Sequence, residues 1–151
     1  MSSRFDGYDG YDDDYWMLRA GRWEHNVRTA LSGKRGQKAL AELEAALLAL
    51  PQKALVAGAL CKGLNVCAVG ALGVLRMQQR GASYAGAIGK LRRYEDDYHA
   101  ASHTAQYGTE LGLTFTLAWT IAEANDEDFK HMTPEQRYDA MLGWVRRQLH
   151  R

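Results

Sequence analysis

Three groups of residues have the types and spacing to do chemistry. Gly33-Lys34-Arg35-Gly36-Gln37-Lys38 sets three cations and two glycines at a helix start, where free backbone N–H groups and the helix dipole attract an anion. It is not a nucleotide-binding P-loop, which needs Gly, four residues, then Gly-Lys-Ser/Thr, a spacing found nowhere in the chain. Together with Arg19, Arg22 and Arg28, the cations Lys34, Arg35 and Lys38 make a candidate basic patch with Trp16 and Trp23 nearby. Cations mixed with rings are what single-stranded nucleic acid takes. A solvated basic turn accounts for the same cations, and the helical spacing of Trp16 and Trp23 predicts burial, which opposes stacking on bases.

The second group, Glu95, His99 and His103, is spaced i, i+4, i+8. On one continuous helix these side chains share a face and can offer oxygen and nitrogen to a metal. The zinc-protease pattern needs a glutamate directly after the first histidine, and Ala100 stands there. An exposed polar helix explains the trio without a metal, so no metal site is assigned. The third group, Cys61 and Cys67, is too small for a closed zinc site or a disulfide scaffold, and small buried hydrophobes are the default. No Gly-x-Ser-x-Gly elbow and no dinucleotide fingerprint occurs. The expectation is a protein without cofactor or catalytic residues.

The elements that would carry these groups are mainly helical. Trp16, Ala20, Trp23, Val27, Ala30 and Leu31 fall at spacings of three and four, predicting a helix that stops at Gly33. Leu40, Leu43, Leu47 and Leu50 form the stripe of a second helix ended by Pro51, with Lys38 and Glu42 at i and i+4 on its outer side. Between 55 and 69, Leu55-Val56-Ala57 and Val66-Cys67-Ala68-Val69 flank the turn-like Lys62-Gly63-Leu64-Asn65. That reads as a short β-hairpin, with a pair of small-residue helices as the competing reading. A helix follows over 71–79, broken by Gly81, and a longer polar helix runs from near Ser83 through His103. Leu111, Phe115, Ala118, Trp119 and Ala122, widened by Leu113, Leu117 and Ile121, predict a core helix over 110–124 that Asn125-Asp126-Glu127-Asp128 ends. Thr133-Pro134-Glu135-Gln136 is a capping box, followed by the stripe Tyr138, Met141, Leu142, Val145 and Leu149.

The chain has 151 residues, 46% of them apolar, and a net charge of +1, which suits one helical domain and excludes a generic DNA-coating protein. The charge is unevenly placed. Residues 1–16 hold one arginine against five aspartates, and residues 17–40 hold six cations against Glu24. Residues 61–94 carry six cations and no acid, whereas 95–131 carry eight acids and Lys130. Pairing of opposite blocks within the chain is the simplest account of such a mosaic. Residues 1–15, with Phe5-Asp6-Gly7, Tyr8-Asp9-Gly10 and Tyr11-Asp12-Asp13, read as a flexible acidic and aromatic arm, leaving 16–151 as the folded domain. No apolar run reaches the length of a membrane span, and the start lacks the basic-then-apolar order of a secretory signal. The expected location is cytoplasmic.

Five stretches carry a resemblance to a known group. They are Ser32-Gly33-Lys34-Arg35-Gly36-Gln37-Lys38-Ala39-Leu40, Leu43-Glu44-Ala45-Ala46-Leu47-Leu48-Ala49-Leu50-Pro51, Val66-Cys67-Ala68-Val69-Gly70-Ala71, Asn125-Asp126-Glu127 and Thr133-Pro134-Glu135-Gln136-Arg137-Tyr138. In order and spacing they resemble an uncharacterised family of small proteins of tailed bacteriophages and prophages, with a departure over about 81–108. The resemblance implies a setting, the bacterial host cytoplasm, and no catalytic residue. The reading is therefore a phage accessory protein docking charged patches onto a host macromolecule, in counter-defence or host takeover. A host protein is the expected partner, and nucleic acid bound by residues 19–38 is the alternative. Binding between complementary patches orients the encounter without any covalent step.

Overall fold

The computed structural model describes residues 10–97 and 103–151, and for residues 10–19 and 97 it describes only the backbone. The fold is mainly α: α1 (Gly10–Ser32), α2 (Lys34–Ala49), α3 (Ala68–Gln79), α4 (Tyr84–Asp97), α5 (His103–Glu110), α6 (Phe115–Glu123) and α7 (Pro134–Gln148). A two-stranded hairpin, β1 (Cys61–Lys62) and β2 (Asn65–Val66), stands between α2 and α3. Among the described residues no helix is long and apolar enough to cross a membrane.

The core is organised around α3, where seven consecutive residues from Ala68 to Val74 are buried. A helix apolar on every side must be enclosed by others, and α2, α4, α5 and α6 all pack on it. From α2 come Leu40, Leu43 and Leu47, each fully buried, worth about 1.5–3 kcal/mol apiece in removed apolar surface. The outer face of α2 differs from the expected Lys38–Glu42 pairing, because Glu42 binds Arg76 of α3 at 3.2 Å. A partner on a packed neighbouring helix displaces one along the same exposed surface.

The hairpin is present and shorter than expected. Cys61 pairs with Val66 and Lys62 with Asn65, leaving Gly63-Leu64 as a two-residue turn. Leu55 makes one parallel bridge to Val66, and 67–69 belong to the cap and first turn of α3. The side chain of Cys67 caps that helix by accepting from the Gly70 N–H. Both cysteines are buried and free. Tyr84 and Arg92 of α4 donate to the carbonyls of Leu64 and Gly63, at 2.6 and 3.0 Å, and hold the turn.

Two helical expectations are corrected. The polar helix expected through His103 is described as α4 and α5, and 98–102 lie outside the described residues. The helix expected over 110–124 starts later, because Gly112 takes φ +90°, a conformation natural to glycine alone, and Thr114 caps α6. Its buried stripe is Leu117, Ala118, Ile121 and Ala122, while Phe115 is half exposed. Asn125-Asp126-Glu127-Asp128 does not end the helix; Ala124–Asp128 winds on as a wider π-helical turn.

That turn has a cause. Asn125 is buried, its Oδ1 accepts the Ala68 N–H at 3.1 Å, and its Nδ2 donates to the Val56 carbonyl at 2.9 Å. The wider turn points this side chain inward, where it joins α6 to α3 and to the loop before β1. On α7 the reciprocal Thr133–Gln136 capping box forms as expected. Buried Arg137 beyond it donates to the carbonyls of Leu55 and Met132 at 2.9 Å each. Tyr138 donates to the Leu47 carbonyl, and Arg146 and Arg151 both pair with Glu44, so α7 is fastened along α2.

Candidate functional site

Two concave surfaces of opposite charge stand on the molecule. The first is the corner where α1 meets α2. Gly33 turns the chain with an extended backbone, and Gly36 lets the two helices touch: a Cβ there would sit 1.7 Å from the Ala30 carbonyl oxygen. Gln37 locks the corner, donating to the carbonyls of Leu31 and Gln148 and accepting from the His150 N–H. Much of the Gly33–Lys38 motif is therefore explained by packing. Its cations remain on the outside.

Lys34, Arg35 and Lys38 border a groove of about 350 Å³, with Arg76 and Gly112 on its far wall. Arg35 reaches across to the Gly112 carbonyl at 2.7 Å. α2 begins without a side-chain cap and without an acid in its first turn, so its dipole adds to the positive potential. Arg22 and Arg28 of α1 are exposed. Arg19 also belongs to α1, and its side chain lies outside the described residues. Five of the six expected basic residues are thus exposed, with Lys34, Arg35 and Lys38 on the groove and Arg22 and Arg28 along α1. The ion pairs described on α2 join Glu42 and Glu44 to Arg76, Arg146 and Arg151, not the basic block to the acidic one.

The expected burial of Trp23 is corrected. Trp23 is 39% exposed, and all seven positions from Ala20 to Asn26 are exposed; the side chain of Trp16 lies outside the described residues. Among the described residues, only the last turns of α1, through Ala30 and Leu31, pack on the core. Periodicity marks a face that is able to be buried, and here no other described element covers Trp23. The residues expected to form a flexible arm divide likewise: 10–15 are the first turns of α1, and 1–9 lie outside the description.

The second concavity, about 530 Å³, is bordered by Trp119, Glu123, Asp126 and Glu127 on one wall and by His103 and Gly58 on others. His103 Nε2 lies 2.6 Å from Glu95 Oε2, and Glu95 Oε1 accepts the Leu60 N–H at 2.6 Å. Two of the three expected ligands, Glu95 of α4 and His103 of α5, thus meet, while His99 falls outside the described residues. Among the described residues no group of three His, Cys, Asp or Glu is placed to hold a metal. Sequence reasoning missed this acidic wall, although Trp119, Glu123, Asp126 and Glu127 sit at i, i+4, i+7 and i+8, one helical face. Burial pushes the Cys61 and Cys67 thiols up, which makes both poor nucleophiles.

Compared with known proteins, the chain matches no family model, no curated protein and no solved structure.

Proposed function

We propose that this protein is a non-enzymatic binding protein that docks its α1–α2 corner onto an anionic macromolecule, with single-stranded nucleic acid as the favoured partner. The observation that carries the reading is the exposure of Trp23 between Arg22 and Arg28, on a segment of α1 whose positions from Ala20 to Asn26 are all exposed among the described residues. An indole offers a stacking surface to any base, and the flanking cations follow the phosphates. Lys34, Arg35 and Lys38 extend the same positive surface around the corner. The phage resemblance supports a setting in the bacterial cytoplasm, where such a protein would act in host takeover or counter-defence.

Gel-shift titration of the full chain at two salt concentrations tests this. Affinity should fall steeply with salt, with a slope that loses about 0.7 for each phosphate contact removed on single strands. Arg22→Glu, Arg28→Glu and Lys34→Glu should each flatten the slope, and Trp23→Ala should weaken binding with little change in slope. No binding to DNA or RNA at low salt removes the nucleic-acid reading. Retention by an acidic host protein, lost in the same charge-reversed variants, would then assign the corner to a protein partner.

A further inference from the structure

We propose that the cavity walled by Trp119, Glu123, Asp126 and Glu127 binds an organic cation, a primary ammonium or a guanidinium group. This site is separate from the basic corner and does not depend on the function proposed for it.

The first argument is electrostatic. α6 and the π-helical turn that continues it carry Glu123, Asp126, Glu127 and Asp128 at their carboxyl end, with no basic residue in the last turn of either. Acids there oppose the helix dipole, which favours cations at that end. None of the four forms an ion pair with a described cation. A local arrangement that costs stability, with no compensating cation among the described residues, is of the kind that proteins keep at functional sites. The π-helical turn itself is a feature that recurs at such sites.

Shape and chemistry narrow the ligand. The cavity is bordered by the small side chains of Ala57, Ala105 and Ala122, which leave it open, and about 530 Å³ is within the range of small-molecule sites. Its carboxylates stand on one wall beside Trp119, and among the described residues no group of three is placed to hold a metal ion. A cation with an apolar body suits an acidic wall that adjoins alanine and tryptophan surface. Trp119, backed by Phe115 at 5.8 Å between ring centroids, supplies a ring wall that attracts ammonium and guanidinium groups. Asp126 is fixed in place, since its Oδ1 accepts from Gly58 N and Asn125 Nδ2 at 3.1 and 2.7 Å. Glu123 and Glu127 are exposed and have no structural hydrogen bond of this kind. They are the residues to test.

Calorimetric titration of the full chain with agmatine and with a capped Gly-Arg-Gly peptide separates a free amine from a partner protein's side chain. Saturable binding of either supports the site, and the tighter of the two names the source. Glu123→Gln with Glu127→Gln should weaken binding roughly tenfold or more, and Trp119→Leu should weaken it too. The double variant should unfold at a higher temperature than the parent, because it removes acids from a helix carboxyl end. Loss of binding with a raised melting temperature therefore cannot be a folding defect. Glu24→Gln, on α1, should leave binding unchanged. Absence of saturable binding by both probes, or equal weakening by Glu24→Gln, overturns the proposal.

Discussion

Replacing Asn125 by alanine tests the tertiary logic of the fold most directly. The side chain is 1% exposed and serves two backbone groups from distant parts of the chain, the Ala68 N–H and the Val56 carbonyl. Alanine leaves a donor and an acceptor buried without partners, at about 1–3 kcal/mol each, so Asn125→Ala should cost roughly 2–6 kcal/mol. Against a usual total of about 5–15 kcal/mol, that is a large fraction. Asn125→Asp separates the contributions. It keeps the acceptor for Ala68, loses the donor to Val56, and sets a second carboxyl beside Asp126 Oδ1, now 2.7 Å from Asn125 Nδ2. Burial and the neighbouring carboxylate both raise the pKa of such a group. Its penalty is absent below the unfolded carboxyl pKa and grows to its full size as pH rises past the raised folded value. Urea unfolding followed by helical circular dichroism, at neutral and at acid pH, reads both effects. An Asn125→Ala midpoint equivalent to within about 0.5 kcal/mol of the parent would refute the reasoning, as would an Asn125→Asp penalty that shrinks with rising pH.

The remaining predictions are shorter. Gly36→Ala puts a methyl carbon 1.7 Å from the Ala30 oxygen, so the α1–α2 corner must open. A loss of about 1–3 kcal/mol or more in urea unfolding is expected, and an unchanged midpoint would contradict the close packing. Hydrogen bonding from Arg146, assisted by Arg151, holds the Glu44 carboxyl below its ordinary value. Its contribution is present above the unfolded carboxyl pKa and disappears as pH falls through the lower folded one. Arg146→Ala should weaken that acid-side dependence, with Arg151 still paired to Glu44, at a cost under about 1 kcal/mol because the arginine faces solvent; a parent whose stability rises on acidification in this range would contradict it. Cys61 and Cys67 should resist alkylation in the folded protein at about pH 8 and label together on unfolding. Rapid labelling of either thiol in the native state would place it outside the core.

Local signals in the sequence determined most of the helices. The Leu40, Leu43, Leu47 and Leu50 stripe with Pro51 behind it, and the Thr133–Gln136 capping box, encode their elements through contacts within a few residues, so both are legible without a fold. The turn at Lys62–Asn65 is legible for the same reason, since its pairing closes across two residues. The extent of burial is not local. Trp23 has the spacing of a core residue and is exposed because no other described element covers that part of α1, whereas Arg137 is buried because the distant Leu55 carbonyl is there to receive it. The pairing of Glu95 and His103 was equally out of reach, because it joins through space two side chains that lie eight residues apart.

The candidate sites divide along the same line. By itself the sequence determined that cations crowd residues 17–40 and acids crowd 95–131, because composition needs no coordinates. Only the tertiary structure decided that the first block stays on an open corner and that Trp119 and three acids border a cavity. A cavity is bounded by elements far apart in the chain, here the Gly58 loop, the start of α5 and the end of α6. No periodicity within one of them can encode the space among all three.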